Sequence, residues 1–520
     1  MVANRSYITK KISKFASQLI TKIMKKIFTI LLFGLILQTN VFASKVQRPK
    51  LVIGLVVDQM RWDYLYYYYT DYCNNGLRRL LDNGYSFANT QISYSPAVTA
   101  VGHSSIFTGT VPAIHGIAGN YFWQKDKLVY CCEDDNVQGV GSTGKEGKMS
   151  PQRMLTTTIG DELRVSTDFR SRVFGVSLKD RAAILPAGHS ANAAFWWGTK
   201  AGHFISSTYY MGKLPEWLIS FNATHSKPSG YDIKTSTEGV TMTFDMAKAV
   251  INNYRLGSNG ATDMLTVSVS STDAIGHKYS TRGKENKQVY MQLDKDIADF
   301  LTYLDKNIGS GNYLIFLTAD HGAAHNFNYL RENNIPAGGW DWETSTKKLN
   351  THLKTKFGVA PVMGEDNYQF FLNDSIIAKA GLKKEDVIDE SVEFLKHDSL
   401  IMYAFDYNKL AQITMPTVLK ERLVNGYFRD RSGEIGIVTR PQVFGAKDVP
   451  SYRGTQHGQP FPYDTHIPFL LYGYNIPQGE DTEAIGIEDI APTICALLHI
   501  QMPDGCLGKP RTLKHQKAIK

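Results

Sequence analysis

Leu51-Val-Ile-Gly-Leu-Val-Val57 is an unbroken apolar run, and Asp58 follows it directly. Alternating polarity would mark a strand with one wet face. Continuity marks a strand covered on both faces, as in a parallel sheet held between layers of helix. Comparable runs lie at 172–178, 264–270, 313–317 and 467–472. Between them, amphipathic stretches at 76–81, 157–165, 244–254 and 287–307 read as helices. Strands alternating with helices predict an α/β fold, a mostly parallel central sheet sandwiched by helices. Residues 341–450 read differently: they are polar, with helical patterns at 344–356, 384–396 and 417–427 and a short alternating strand at 434–438. That segment is expected to be an inserted cap. The α/β core then runs over 44–340 and resumes over 451–510, before a tail at 511–520.

Ahead of the core, residues 1–43 carry Arg5, Lys10, Lys11, Lys14, Lys22, Lys25 and Lys26, and no acid. Met24-Lys25-Lys26 leads into the apolar run 27–37, which closes on Val41-Phe42-Ala43. A basic start, a short apolar stretch and a small-x-Ala end predict a secretory signal removed near Ala43, with 1–23 as an upstream extension. The run is too short for a spanning helix, which needs about 20 apolar residues, so stable membrane insertion is not expected. The whole chain of 520 residues has 57 Lys+Arg against 49 Asp+Glu, a formal charge of +8 that would suit a polyanionic partner. Removing the seven basic residues of the signal leaves 50 against 49, so nucleic acid is not an expected partner. With 43% hydrophobic and 20% charged residues the composition is globular, which excludes a fibrous or wholly disordered chain. Cys73, Cys131, Cys132, Cys495 and Cys506 form no C-x-x-C pair, so a thiolate zinc ribbon is not expected. Export permits one or two disulfides, and the odd count leaves at least one thiol over.

Ligands of open α/β sheets bind beyond the carboxyl ends of the strands. Here three runs end in an acid: Asp58, Asp273 with His277 four residues on, and Asp320 with His321 beside it. A single Asp after a strand is ordinarily an N-cap. Three of them, two with a nearby histidine, point instead to a divalent ion, and mixed carboxylate and imidazole ligands suit zinc. Thr99, ahead of a helix-like stretch at 102–107, is a candidate nucleophile, with an N-cap as its ordinary alternative. Lys179 and Arg181 follow another strand and pair a point charge with a guanidinium fork, which suits a phosphoryl group. Asn120 is a further donor. His457 is a last ligand candidate, with His103, His325 and His466 as weaker ones. Nucleotide-triphosphate, dinucleotide and serine-esterase motifs are missing from the sequence.

Together these residues resemble the alkaline phosphatase superfamily, and within it the secreted monoesterases with a threonine nucleophile, the PafA type. The resemblance covers about 51–508 and rests on Val57-Asp-Gln-Met-Arg-Trp-Asp63, Thr99-Ala-Val-Gly-His-Ser-Ser105 through Thr110-Val-Pro-Ala-Ile-His-Gly116, Lys179-Asp-Arg181, Thr272-Asp-Ala-Ile-Gly-His277, Ala319-Asp-His-Gly322 and Glu488-Asp-Ile-Ala-Pro-Thr-Ile494. It implies two zinc ions, one held by Asp273, His277 and His457, the other by Asp58, Asp320, His321 and the Thr99 oxygen. It also implies hydrolysis of small phosphate monoesters through a phospho-threonine, with Lys179, Arg181 and Asn120 on the phosphoryl oxygens. A phosphodiesterase or nucleotide pyrophosphatase on the same metal core is the alternative, and an exported metal-binding protein without catalysis a further one. The sulfatase signature C/S-x-P-x-R is not supplied at Thr99.

Overall fold

The structure, a computed structural model, describes residues 2–37, 47–124 and 127–514. It divides into two compact units, 1–48 and 49–520. In the first, one helix runs from Val2–Leu37 through both the expected extension and the apolar run. The expected cleavage at Val41-Phe42-Ala43 lies outside the described residues. Among the described residues no helix is long and apolar enough to cross a membrane.

The second unit is built on a ten-stranded sheet. In spatial order its strands are Gly479–Asp481, Tyr85–Phe87, Phe469–Gly473, Tyr313–Thr318, Leu51–Val57, Asp263–Val269, Val173–Ser177, Ala193–Gly198, His203–Ser207 and Gly139–Val140. The strands from Tyr313–Thr318 through Ala193–Gly198 run parallel, with Leu51 opposite Asp263 on one side and Tyr313 on the other. Every residue of Leu51–Val57 is buried, as an unbroken apolar run between helix layers requires. The helices Thr99–Thr108 and Asp180–Ala187 pack on one another, and Glu238–Tyr254 pairs with Lys284–Leu304. Each fully buried Leu, Ile or Val of this core contributes about 1.5–3 kcal/mol.

The sheet is mixed rather than uniformly parallel. The apolar run at 467–472 is split by Pro468, whose missing N–H cannot join a ladder. Phe469–Gly473 then pairs antiparallel with Tyr313–Thr318, while His466–Ile467 pairs with Thr90–Gln91 in a separate small sheet. Within 341–450, Val362–Asp366, Gln369–Leu372, Ile435–Thr439 and Ile401–Asp406 form a four-stranded antiparallel sheet. Its own core gathers Leu349, Leu353, Phe370, Val387, Leu395 and Ile437. All five cysteines are free thiols.

Candidate active site

Three central strands deliver an acid to one edge of the sheet, and none of the three caps a helix. Asp58 ends its strand and is fully buried. Asp273 is the third residue of the helix Ser271–Tyr279, whose cap position is Ser270. The Asp320 carboxylate accepts from the backbone N–H of Gln59 at 3.1 Å and of His321 at 3.0 Å. Thr99 is likewise not a cap. It is the first residue of the helix Thr99–Thr108, and Val98 holds the cap position without a side-chain bond. That helix approaches the Asp320 backbone so closely that a Cβ on Gly102 would stand 2.2 Å from the Asp320 carbonyl oxygen.

Two groups of side chains present ligand atoms within 4.8 Å of one another: Asp273, His277 and His457, and Asp58, Asp273 and His321. The first is the set expected around one ion. In the second, Asp273 joins where the sequence reading placed Asp320, yet Asp320 Oδ2 lies 3.4 Å from His321 Nε2 and remains beside the group. His277 Nε2 is 3.0 Å and His457 Nε2 3.6 Å from Asp273 Oδ1.

Each histidine is oriented the same way. The Nδ1 of His277, His321 and His457 meets the backbone carbonyl of Thr455, Gly322 and Ala97 at 3.0, 2.9 and 2.8 Å. Since a carbonyl only accepts, Nδ1 carries a proton in all three, which turns each Nε2 toward the carboxylates as metal ligation requires. At His277 burial disfavours the charged form, but Asp273 beside Nε2 outweighs it and raises the pKa.

The electrostatics fit a cation in the same place. Asp58 Oδ1, Asp320 Oδ2 and His321 Nε2 are buried without a hydrogen-bond partner. Leaving such an atom unsatisfied costs about 1–3 kcal/mol, so their convergence marks a shared ligand. Burial, then the neighbouring Asp320, push the Asp58 carboxyl well above the ordinary range. Burial also opposes the Asp273 carboxylate, but His277 and Lys179 outweigh it and hold its pKa well below the ordinary value. Burial lowers His321, and burial with His321 and His277 lowers His457, which keeps both imidazoles neutral and able to ligate. A donor set of carboxylate oxygen and imidazole nitrogen suits a borderline divalent ion such as zinc.

Lys179 bridges this centre and the Thr99 hydroxyl. Its Nζ donates to Asp58 Oδ2 at 2.5 Å and Asp273 Oδ2 at 2.6 Å, and stands 3.4 Å from Thr99 Oγ1. Burial works against its charge, but Asp273 and Asp58 more than offset that and raise its pKa. Arg181 donates from Nη1 to the Tyr130 hydroxyl at 3.0 Å; that hydroxyl donates to Asp180 Oδ1 at 2.5 Å, and Asp180 Oδ1 accepts the Arg181 backbone N–H at 2.7 Å. Asn120 Oδ1 accepts the Ala100 N–H at 2.9 Å, which ties it to the first turn of the Thr99 helix.

The structure therefore brings Asp58, Thr99, Asn120, Lys179, Arg181, Asp273, His277, Asp320, His321 and His457 to one region. His103 supports it from behind, bonding Ser268 Oγ and the Thr99 carbonyl and standing 3.2 Å from Asp320 Oδ2. His466 stacks on Trp62 and bonds the Ala88 carbonyl, and His325 bonds Thr281, so neither is a ligand of these groups. Sequence reasoning missed Gln59, whose Nε2 donates to Asp273 Oδ1 at 2.6 Å, and Tyr130. Adjacency to Asp58 was a signal for the first; nothing in the spacing signalled the second.

Two clefts open beside the paired strands Tyr121–Gln124 and Lys127–Tyr130. One, about 600 Å³, has Lys179 and Arg181 in its wall. The other, about 750 Å³, is lined by Trp123, Trp340, Glu365, Asp366, Tyr368 and His457. Tyr121 and Leu128 line both.

Residues 52–458 match the family described as type I phosphodiesterase / nucleotide pyrophosphatase. A protein of Myroides odoratus named calcium-transporting ATPase is 43% identical, with 90% of this chain and 95% of that protein covered. Alkaline phosphatase PafA of Elizabethkingia meningoseptica is 41% identical over 90% of this chain and 95% of its own. The crystal structure of wild-type alkaline phosphatase PafA superposes with a TM-score of 0.86 at 40% identity, covering 90% of this chain and 99% of that one.

Proposed function

The chain belongs to the type I phosphodiesterase / nucleotide pyrophosphatase family, and from that premise we propose that it is an alkaline phosphatase acting on small phosphate monoesters. The observation that carries this reading is the pair Lys179 and Arg181 beside Thr99, since Lys179 Nζ lies 3.4 Å from the Thr99 hydroxyl. A monoester dianion has charge for both cations, whereas a diester carries less charge and needs room for a second substituent.

Asp273, His277 and His457 would hold one divalent ion, and Asp58, Asp320 and His321 with Thr99 a second, both zinc in this reading. Bound there, the ions supply Lewis acidity that lowers the hydroxyl pKa of Thr99 and offsets charge on the leaving oxygen. The remaining work falls to side chains. Thr99 Oγ1 gives up its proton to solvent and forms the bond to phosphorus, in line with the breaking bond to the alcohol oxygen, which takes a proton from solvent as the alcohol leaves. Lys179, protonated between Asp58 and Asp273, favours the anionic form of that hydroxyl. Water then displaces the threonine oxygen by the same exchange, releasing phosphate. Arg181 and Asn120 orient the non-bridging oxygens, Arg181 held by Tyr130 and Asn120 by Ala100. The basic start and apolar run at 24–37 serve export to the periplasm or beyond, and residues 341–450 act as a cap on the core.

Rates on p-nitrophenyl phosphate and on its bis-ester test the reading. The monoester is expected to be faster, and a faster diester would overturn it in favour of a phosphodiesterase. Thr99→Ala should lose activity by about 10³-fold or more while keeping most of its metal; full activity in that variant would end the nucleophile assignment.

A further inference from the structure

The cleft of about 600 Å³ that contains Lys179 and Arg181 does not end at them. It continues past Lys127, Lys145, Lys148 and Lys234, so six cations stand in its wall against the four acids Glu133, Asp135, Glu146 and Asp180. Each of those acids has a partner, and those held by neutral donors keep their charge, so the wall is net positive by two. Glu133 and Asp135 flank Lys127 at 3.9 and 3.8 Å. Glu146 accepts from the Ser142 hydroxyl and the backbone N–H groups of Lys200 and Ala201. Asp180 is held by Tyr130 and the Arg181 N–H.

Lys145, Lys148 and Lys234, by contrast, have no ion pair and no side-chain hydrogen bond among the described residues. Lys234 is half-buried on the turn Ile233–Thr235. Burial disfavours its charge, Asp232 two residues before it favours it, and Lys179 and Arg181 add like-charge repulsion, so Lys234 feels both its own turn's acid and the phosphoryl clamp. The buried Arg181 Nε is also without a partner. Unpaired like charges gathered in a concave site focus potential toward an anion. The volume is that of a small-molecule site, and Trp196, Trp197, Tyr121 and Leu128 supply apolar wall between the cations.

We propose that this cleft is a second anion subsite, which selects phosphate monoesters whose alcohol portion carries a further phosphate or other anionic group. The inference rests on the phosphatase reading for the identity of the first group. The reacting phosphoryl lies at Thr99, Lys179 and Arg181, and the second anion lies along the cleft at Lys234, Lys145 and Lys148. A substrate without a second charge makes only the first set of contacts.

Calorimetric titration of the Thr99→Ala protein with fructose 1,6-bisphosphate and fructose 6-phosphate reads the subsite without turnover. The bisphosphate is expected to bind about tenfold tighter, a preference that shrinks as salt screens it. Adding Lys145→Gln, Lys148→Gln and Lys234→Gln should bring the ratio of the two affinities close to one. Should that triple variant fail to fold, Lys234→Gln alone should lower the ratio by about threefold. Equal binding of the two sugars by the Thr99→Ala protein, or a preference that survives the lysine substitutions in a folded protein, overturns the subsite. The two readings fail separately. Lack of p-nitrophenyl phosphate hydrolysis by the wild-type chain counts against the phosphatase, whereas the affinity ratio judges the cleft.

Discussion

The centre at the strand ends and the clefts around it are anchored in different ways. Asp58, Asp273, Asp320 and His321 hang from the central parallel strands or the first turn after them, and none is more than 3% exposed. Lys127, Glu365 and Asp366 sit on short antiparallel strands, and Lys145 and Lys234 on single turns, half-buried or exposed. The first group is fixed by the sheet, the second by surface elements that can vary without disturbing it. Proton affinity follows the neighbours in each place. In the centre, Asp273 and Asp320 are held below the ordinary carboxylate range because His277, His321, His103 and Lys179 outweigh their burial, whereas burial and Asp320 raise Asp58. On the hairpin of Val362–Asp366 and Gln369–Leu372, burial and the adjacent Asp366 push Glu365 up to about 8, and burial pushes Asp366 to about 7. Chemistry is placed where geometry cannot drift, and selection where it can.

The hardest blow to the fixed centre is Asp273→Asn. Asp273 belongs to both ligand groups and also accepts from Lys179 and Gln59. Its loss should weaken metal binding by more than the roughly 10–100-fold seen when an outer partner is removed, read as metal content after dialysis. Undiminished metal content, measured against the wild-type chain, would contradict the shared role. Tyr130→Phe probes the boundary between centre and cleft, since the hydroxyl both accepts from Arg181 and donates to Asp180. A hydrogen bond of this kind is worth about 0.5–1.5 kcal/mol, so kcat/KM should fall by about 2–12-fold and phosphate inhibition should weaken with it. A change in melting temperature alone would make Tyr130 merely structural.

The smallest expected effect lies on the hairpin. With the folded-state pKa of Glu365 at about 8 against an ordinary 4.5, its protonated form favours the fold below about pH 4.5. That contribution is lost as pH rises through about 8. Glu365→Gln should therefore flatten the fall in melting temperature between pH 5 and pH 9, each value approximate and set by the bracketing pKa values. A variant whose melting curve tracks the wild type across that window would remove Glu365 as the source of that slope.

The same contrast explains what the sequence disclosed. A continuous apolar run followed by an acid names both a buried strand and its functional end, so Asp58, Asp273 and Asp320 were legible as they stood, and Lys179 with Arg181 nearly so. Strand direction was not: the run at 467–472 reads like the parallel ones, and only Pro468 hinted at the break that lets Phe469–Gly473 turn antiparallel. The clefts were legible least of all. Lys127, Lys145 and Lys234 become neighbours of Arg181 through tertiary folding alone, and no local period connects positions so far apart. Tyr130 was hidden for the same reason.

One feature of the sheet bears on the life of the chain before it ever meets a substrate. Its outermost strands, Gly139–Val140 and Gly479–Asp481, are two and three residues long, and the second carries Glu480 and Asp481, with Asp481 paired to Lys514. A ten-stranded sheet with long bare margins would invite other chains to add themselves as further strands. With stubs at both margins, one of them acidic, there is little backbone for a neighbour to zip onto, so a broad sheet can be reached and kept at high local concentration without seeding fibrils or amorphous deposits.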